Sequence, residues 1–153
     1  MNNPLMETGM KQVPTVATTM TPFPFSIDVN DRLQDAIAMM EKQGIHHLPV
    51  TEQGDLVGVL SERDIKFVAS PFSSASMEDE LFVKDIYSSR SYVVDIHTPL
   101  ENVMRVMADK HIGSALVTKN DKLAGILTHY DVFKKFAEVI SKLKAKPDGN
   151  DAA

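Results

Sequence analysis

At 153 residues, 43% hydrophobic and 24% charged, the chain has the size and composition of one ordinary globular domain. A balance of 16 basic against 21 acidic residues, net −5, argues against a sequence-independent nucleic-acid binder, whose affinity rests on clustered Lys and Arg. Cysteine is absent, which excludes disulfides, thiolate catalysis and cysteine-ligated metals, and no apolar run approaches the roughly 20 residues that span a bilayer.

In chain order, residues 1–12 read as a weakly ordered segment. Met1–Met10 carries Glu7 and lacks a charged-then-apolar signal layout, so cytoplasmic residence is the expectation. Val16-Ala17-Thr18-Thr19-Met20-Thr21-Pro22 is a short turn of helix stopped by proline. Ser26–Val29 alternates as a strand. Asn30 or Asp31 caps a helix over 32–43 with Leu33, Ala36, Ile37 and Met40 on one stripe, and Gly44 closes it. Strands at 47–51 and 56–60 flank the hairpin signal Glu52-Gln53-Gly54-Asp55, and Ser61 opens a helix carrying Ile65, Val68 and Ala69. Residues 70–82 are a Ser/Pro/acidic linker whose Glu78-Asp79-Glu80 run reads as a solvated face. The same order then returns: a lead-in over 83–87, a strand over 92–96, a helix over 100–110, strands at 115–118 and 122–127, and a helix from Thr128 to Lys144. Residues 141–153, with Lys142, Lys144 and Lys146, form a polar tail.

The return is a repeat at a fixed offset of 67 residues. Gly58-Val59-Leu60-Ser61-Glu62-Arg63-Asp64-Ile65 recurs as Gly125-Ile126-Leu127-Thr128-His129-Tyr130-Asp131-Val132. Across 16–65 against 83–132, 11 of 50 ungapped positions are identical, among them Asp28/Asp95, Leu33/Leu100, Met40/Met107, Ile45/Ile112 and Val50/Val117. One offset held through helices, strands and turns means a duplicated unit. The fold class expected is α+β, two tandem β-α-β-β-α units at 13–69 and 83–140 packed with pseudo-twofold symmetry, with function in the two related clefts between them.

Each second hairpin strand runs through a glycine into a hydroxyl residue, with an aspartate three positions on. Ser61 or Thr128 as N-cap with that acid is a capping box. A helix N-terminus with a hydroxyl is also a ready anion site, and an aspartate one turn in can accept two hydrogen bonds from a ribose diol. The two roles are compatible, because a carboxylate has lone pairs for both.

Over roughly 13–140 the chain resembles a tandem cystathionine-β-synthase (CBS) domain pair. The residues that carry the resemblance are Met20-Thr21-Pro22, Gly44-Ile45-His46-His47-Leu48-Pro49-Val50 and Gly58 to Ile65. The resemblance implies a flat four-repeat homodimer paired through its helices. It also implies an adenosine-containing regulatory ligand, AMP, ADP, ATP or S-adenosylmethionine, with no required cofactor. The ribose-binding acid falls on Asp64 and Asp131, with Ser61 and Thr128 beside the phosphates. The adenine slot falls on Ile45, His46, His47, Leu48 and Pro49 and on Ile112, Gly113, Ser114, Ala115 and Leu116, while Thr21 and Pro22 line the mouth of the first cleft.

The repeats depart from each other at Arg63, a fixed cation suited to a phosphate, against Tyr130, and at Gly44 and Pro49 against His111 and Leu116. The first repeat's site is therefore expected to bind more tightly. Arg90 could supply charge to the second site but reads more simply as a solvated arginine. His129 would make phosphate contact pH-dependent, or is a surface histidine. The pair His46-His47 invites a metal, but adjacent strand residues point to opposite faces and no third ligand stands near. Met39, Met40, Met104 and Met107 read as adaptable core or interface filler.

No nucleophile–base pair, P-loop, dinucleotide fingerprint or His-Glu-x-x-His pattern supports an enzyme. The expected function is a stand-alone regulatory module that senses an adenine nucleotide and signals to an unidentified partner protein, with neither nucleic acid nor membrane as partner. The alternative is a ligand-free interaction scaffold in which Asp64 and Asp131 only cap helices.

Overall fold

The computed structural model describes residues 12–68 and 81–145. Residues 1–11, 69–80 and 146–153 lie outside the described residues, and with them most of the expected lead-in segment and linker, the Glu78-Asp79-Glu80 run and Lys146.

Thr15 caps α1 (Val16–Thr19), its hydroxyl accepting from the Thr18 N–H while the Thr18 hydroxyl accepts from the Thr15 N–H. Met20 turns extended, and Thr21–Pro22 becomes a short strand, β1. β2 (Ile27–Asp28) runs parallel to β3 (His47–Glu52), which pairs antiparallel with β4 (Asp55–Ser61). Between β2 and β3 lies α2 (Leu33–Gln43), burying Leu33, Ala36 and Met40 along one stripe and ending at Gly44 with φ 63°. Neither Asn30 nor Asp31 caps it. The N-cap is Arg32 without a side-chain bond; the Asp31 carboxylate accepts from the Asp28 N–H, and the Leu33 N–H donates to the Leu81 carbonyl. Residues 81 and 82, expected as linker, are thus docked on the first repeat, where Phe82 bridges to Arg32.

α3 (Glu62–Val68) follows β4 directly. The second unit has a 3-10 turn (Val83–Asp85), β5 (Val93–Asp95), α4 (Leu100–Asp109), β6 (Ser114–Lys119), β7 (Lys122–Thr128) and α5 (His129–Lys144). The hairpins turn on Gln53-Gly54 and Asn120-Asp121, all four at positive φ, as a two-residue loop between twisted strands requires.

The two units exchange their lead-ins. β1 belongs to the sheet β1-β7-β6-β5, pairing Thr21 with Ile126 and Pro22 with Gly125, while the other sheet is β2-β3-β4. Reciprocally, Ser88 and Val59 exchange N–H···O bonds of 3.1 and 2.9 Å. Ser88 and Val59 are the offset partners of Thr21 and Ile126. The cores follow the exchange. Val83 is fully buried among Leu33, Leu48 and Leu60 of the first unit, and Val16 among Val103, Val117 and Leu127 of the second. Fully burying a side chain of this kind contributes roughly 1.5–3 kcal/mol, so each unit is completed by the other's lead-in.

The motif glycine makes room for the crossing. A Cβ on Gly58 would overlap the Ser88 carbonyl oxygen and sit 2.7 Å from the Tyr87 ring; one on Gly125 would meet the Met20 sulfur and lie 2.9 Å from the Thr21 carbonyl oxygen.

Candidate functional site

β4 and β7 touch along the seam between the two units, and each delivers a motif to the start of a helix there. At α3 the Asp64 carboxylate accepts from the Ser61 N–H at 3.0 Å and from the Ser61 hydroxyl, while the Asp64 N–H donates back to that hydroxyl at 3.1 Å. At α5 Thr128 and Asp131 repeat the arrangement, with N–H and hydroxyl both 2.7 Å from Oδ2. In both cases Oδ2 carries the cap. Asp131 Oδ1 accepts from the Thr21 hydroxyl at 3.1 Å, whereas Asp64 Oδ1 has no hydrogen bond among the described residues.

Two cavities flank the seam. One, about 660 Å³, is lined by Ser61, Arg63 and Asp64 from the first unit, and by Ser88, Arg90, Ser91, Tyr92, His111, Ile112, Gly113, Ser114 and His129 from the second. The other, about 430 Å³, is lined by Thr21, Pro22, Phe23, Phe25, Gly44 and Ile45 from the first, and by Thr128, Tyr130, Asp131 and Lys134 from the second. His46, His47 and Tyr130 border both. We refer to these as the Asp64 cleft and the Asp131 cleft.

The expected sites are therefore recombined. Arg63 and Asp64 share a wall with His111, Ile112, Gly113 and Ser114, not with Gly44 and Ile45; Thr21 and Pro22 line the Asp131 cleft. The cause is the lead-in exchange, which draws each unit's slot against the other unit's motif. The comparison of first and second repeat as two self-contained sites does not apply to this geometry. Leu48, Pro49, Ala115 and Leu116 line neither cavity. They lie on the central strands β3 and β6, where consecutive buried residues show both sheet faces covered.

Ser88, Ser91, Tyr92, Phe23, Phe25 and Lys134 are wall residues that the motif reading did not single out. The offset itself pointed to one of them, since Ser88 stands where Thr21 does. Arg90, read as solvated, borders the Asp64 cleft. His111 takes φ 53°, a conformation that glycine adopts at the equivalent position 44 and that strains a residue with a Cβ.

The histidines meet at the seam. β3 begins at His47, so His46 precedes the strand and the two-face argument does not separate the pair. His46 Nδ1 lies 2.6 Å from Glu62 Oε2, and the Tyr130 ring sits 5.6 Å from His46 and 4.2 Å from His129. Among the described residues no group of three His, Asp or Glu side chains is arranged to hold a metal. Lys66, and then His46, hold the Glu62 carboxyl below its ordinary range. His129 approaches the Gly113 carbonyl at 3.2 Å.

His47 Nδ1 is buried without a hydrogen bond among the described residues. Burial first, then His129 and His46, hold its imidazole below the ordinary 6.5, against a weaker opposite pull from Asp64 and Glu62. A lowered folded-state value means that the unfolded chain takes up this proton first as pH falls. The contribution is complete above about pH 6.5 and is lost below it. Melting temperature should therefore drop on acidification, and His47→Gln should flatten that drop in a scanning-calorimetry pH series. An unchanged pH slope in the variant would contradict the assignment.

The family model for the CBS domain matches residues 11–70 and 83–138. Two interlocked β-α-β-β-α units with paired clefts at their seam are the architecture of a CBS pair, and the chain belongs to the CBS-domain family. It is 26% identical over 118 residues to the CBS domain-containing protein YhcV of Bacillus subtilis, covering 77% of this chain and 82% of that one. Protein MJ1225 of Methanocaldococcus jannaschii is 27% identical over 121 residues, 70% of this chain, but the match spans only 41% of that longer protein. Among solved structures, CBSX2 in complex with AMP superposes with a TM-score of 0.71 at 25% identity, covering 84% of this chain and 99% of that one. The CBS pair of MJ0100, in complex with 5′-methylthioadenosine and S-adenosyl-L-methionine, gives a TM-score of 0.73 at 20% identity, with coverage of 84% and 99%. No helix among the described residues is long and apolar enough to cross a membrane.

Proposed function

We propose that this chain is a regulatory module that binds an adenosine-containing ligand, AMP, ADP or ATP foremost, in its seam clefts and passes occupancy to a partner protein. The observation that carries the reading is the position of Asp64 and Asp131. Each sits one turn into a helix on a cavity wall, opposite main chain of the other unit's slot, where a ribose could meet the acid and an adenine the slot. The AMP held by the CBSX2 pair supports the ligand class.

Signalling follows from where the clefts lie. A ligand in either one touches both units, and its affinity for their closed arrangement biases how they pack. α3 and α5 start at the clefts and carry exposed aromatic side chains outward: Phe67 is 84%, Phe133 65% and Phe136 59% exposed. Such a face on an isolated protomer suits a second copy, and the module is read as a homodimer. Light scattering at micromolar concentration should give about twice 16.9 kDa for the wild type, and Phe133→Glu with Phe136→Glu should halve it. A wild-type protomer mass would contradict this.

The scaffold reading draws on one observation, that both aspartates close capping boxes with their own Ser61 and Thr128. A thermal-shift panel of AMP, ADP, ATP, S-adenosylmethionine and NAD separates the two. At a ligand concentration about 100 times the dissociation constant the folded state gains about 2.7 kcal/mol, a rise of several degrees. No rise with any of the five would favour the scaffold.

A further inference from the structure

The two clefts differ in their cations: the Asp64 cleft carries two arginines beside Glu62 and Asp64, the Asp131 cleft a lysine beside Asp131. Arg63, from the start of α3, and Arg90, from the loop before β5, border the same cavity although they come from different units. Neither guanidinium takes part in an ion pair among the described residues. The acids nearby are already engaged: Glu62 bonds Lys66 at 2.7 Å and His46 at 2.6 Å, and Asp64 Oδ2 closes the cap. Among the described residues the Asp131 cleft has no arginine on its wall and one lysine, Lys134, and Phe23, Phe25 and Ile45 make it the more apolar of the two.

We infer that the Asp64 cleft selects a nucleoside di- or triphosphate over a monophosphate, with Arg63 and Arg90 clamping the terminal phosphates across the seam. The inference rests on the adenosine-binding reading above and adds to it the phosphate count and the residues that set it. Guanidinium groups present planar forks matched to phosphate oxygens, and two of them from two units reach farther along a phosphate chain than one. The larger cavity, about 660 Å³ against about 430 Å³, has the room. His111, held in a strained conformation on the same wall, is the kind of residue that clusters at ligand sites. Because the two arginines belong to different units, a polyphosphate would tie the units together where a monophosphate would not.

The test is calorimetric titration of the full chain with adenosine, AMP, ADP and magnesium-free ATP at fixed salt. The wild type should bind ATP about tenfold or more tightly than AMP, the scale of one good charge-assisted contact. Arg90→Ala and Arg63→Ala should each cut that ratio severalfold while leaving adenosine binding in place, and Arg90→Lys should recover part of it. Arg105→Ala, an exposed arginine on α4 that borders neither cleft, should leave it unchanged. Arg63 and Arg90 are exposed and outside the core, so melting temperatures of the free variants should match the wild type. A ratio that survives Arg90→Ala, or that Arg105→Ala removes as well, would overturn the inference. Asp64-dependent AMP binding without preference for ATP would overturn it alone, and no binding of any adenosine compound would overturn the proposed function with it.

Discussion

Gly58→Ala is expected to destabilise the protein by about 1–3 kcal/mol, lowering its melting temperature by roughly 2–12 °C. The new methyl group would overlap the Ser88 carbonyl oxygen and crowd the Tyr87 ring, and the first of these is backbone that cannot rotate away. Relief requires moving the crossing segment off β4, which also pulls Val83 from the first unit's core. Gly113→Ala supplies the comparison, since its added carbon would lie 3.2 Å from the end of the His47 side chain, which can shift. Gly58→Ala should be the more damaging of the two by thermal denaturation. If the Gly58 variant melted like the wild type, the tight reciprocal crossing would be wrong.

Asp64→Ala is expected to remove the nucleotide-induced rise in melting temperature contributed by the Asp64 cleft and to cost some stability as well. The capping box sets that cost, because the carboxylate accepts two hydrogen bonds whose donors would be left open, a loss of about 1 kcal/mol. Asp64→Asn keeps one acceptor for the cap and should recover much of the stability but less of the ligand response. A variant that loses stability and retains the full thermal response would leave Asp64 as a cap alone.

Much of this fold is legible because hydrophobic period reports which face of an element is buried. The stripe Leu33, Ala36 and Met40, the hairpin glycine at 54 and the helix stop at Gly44 each carry their own local signal. The period does not report which surface does the burying. Val16–Pro22 opens the first unit in sequence, yet Val16 packs with Leu127 and Thr21 pairs with Ile126. A signal did exist: a glycine inside a strand marks close approach by another backbone, and Gly58 and Gly125 stand in mid-strand in both repeats. The same crossing regroups the clefts, since the slot reaches the opposite motif only after the lead-ins cross. The aspartates and hydroxyls of the motif are readable one by one; wall residues such as Ser91 and Lys134 are not, because cavity walls assembled from two units leave no spacing pattern in the chain.

The most direct measurement is a paired titration of AMP and 2′-deoxy-AMP against wild type and Asp64→Asn, with melting curves confirming that both proteins are folded. If Asp64 holds a ribose diol, the wild type should prefer the ribose form by about tenfold or more, in line with one hydrogen bond to a charged acceptor at about 1.5–3 kcal/mol. The variant, which keeps the shape but loses the charge, should show a clearly smaller preference. Equal discrimination in the two proteins, or none in the wild type, would contradict ribose recognition at Asp64.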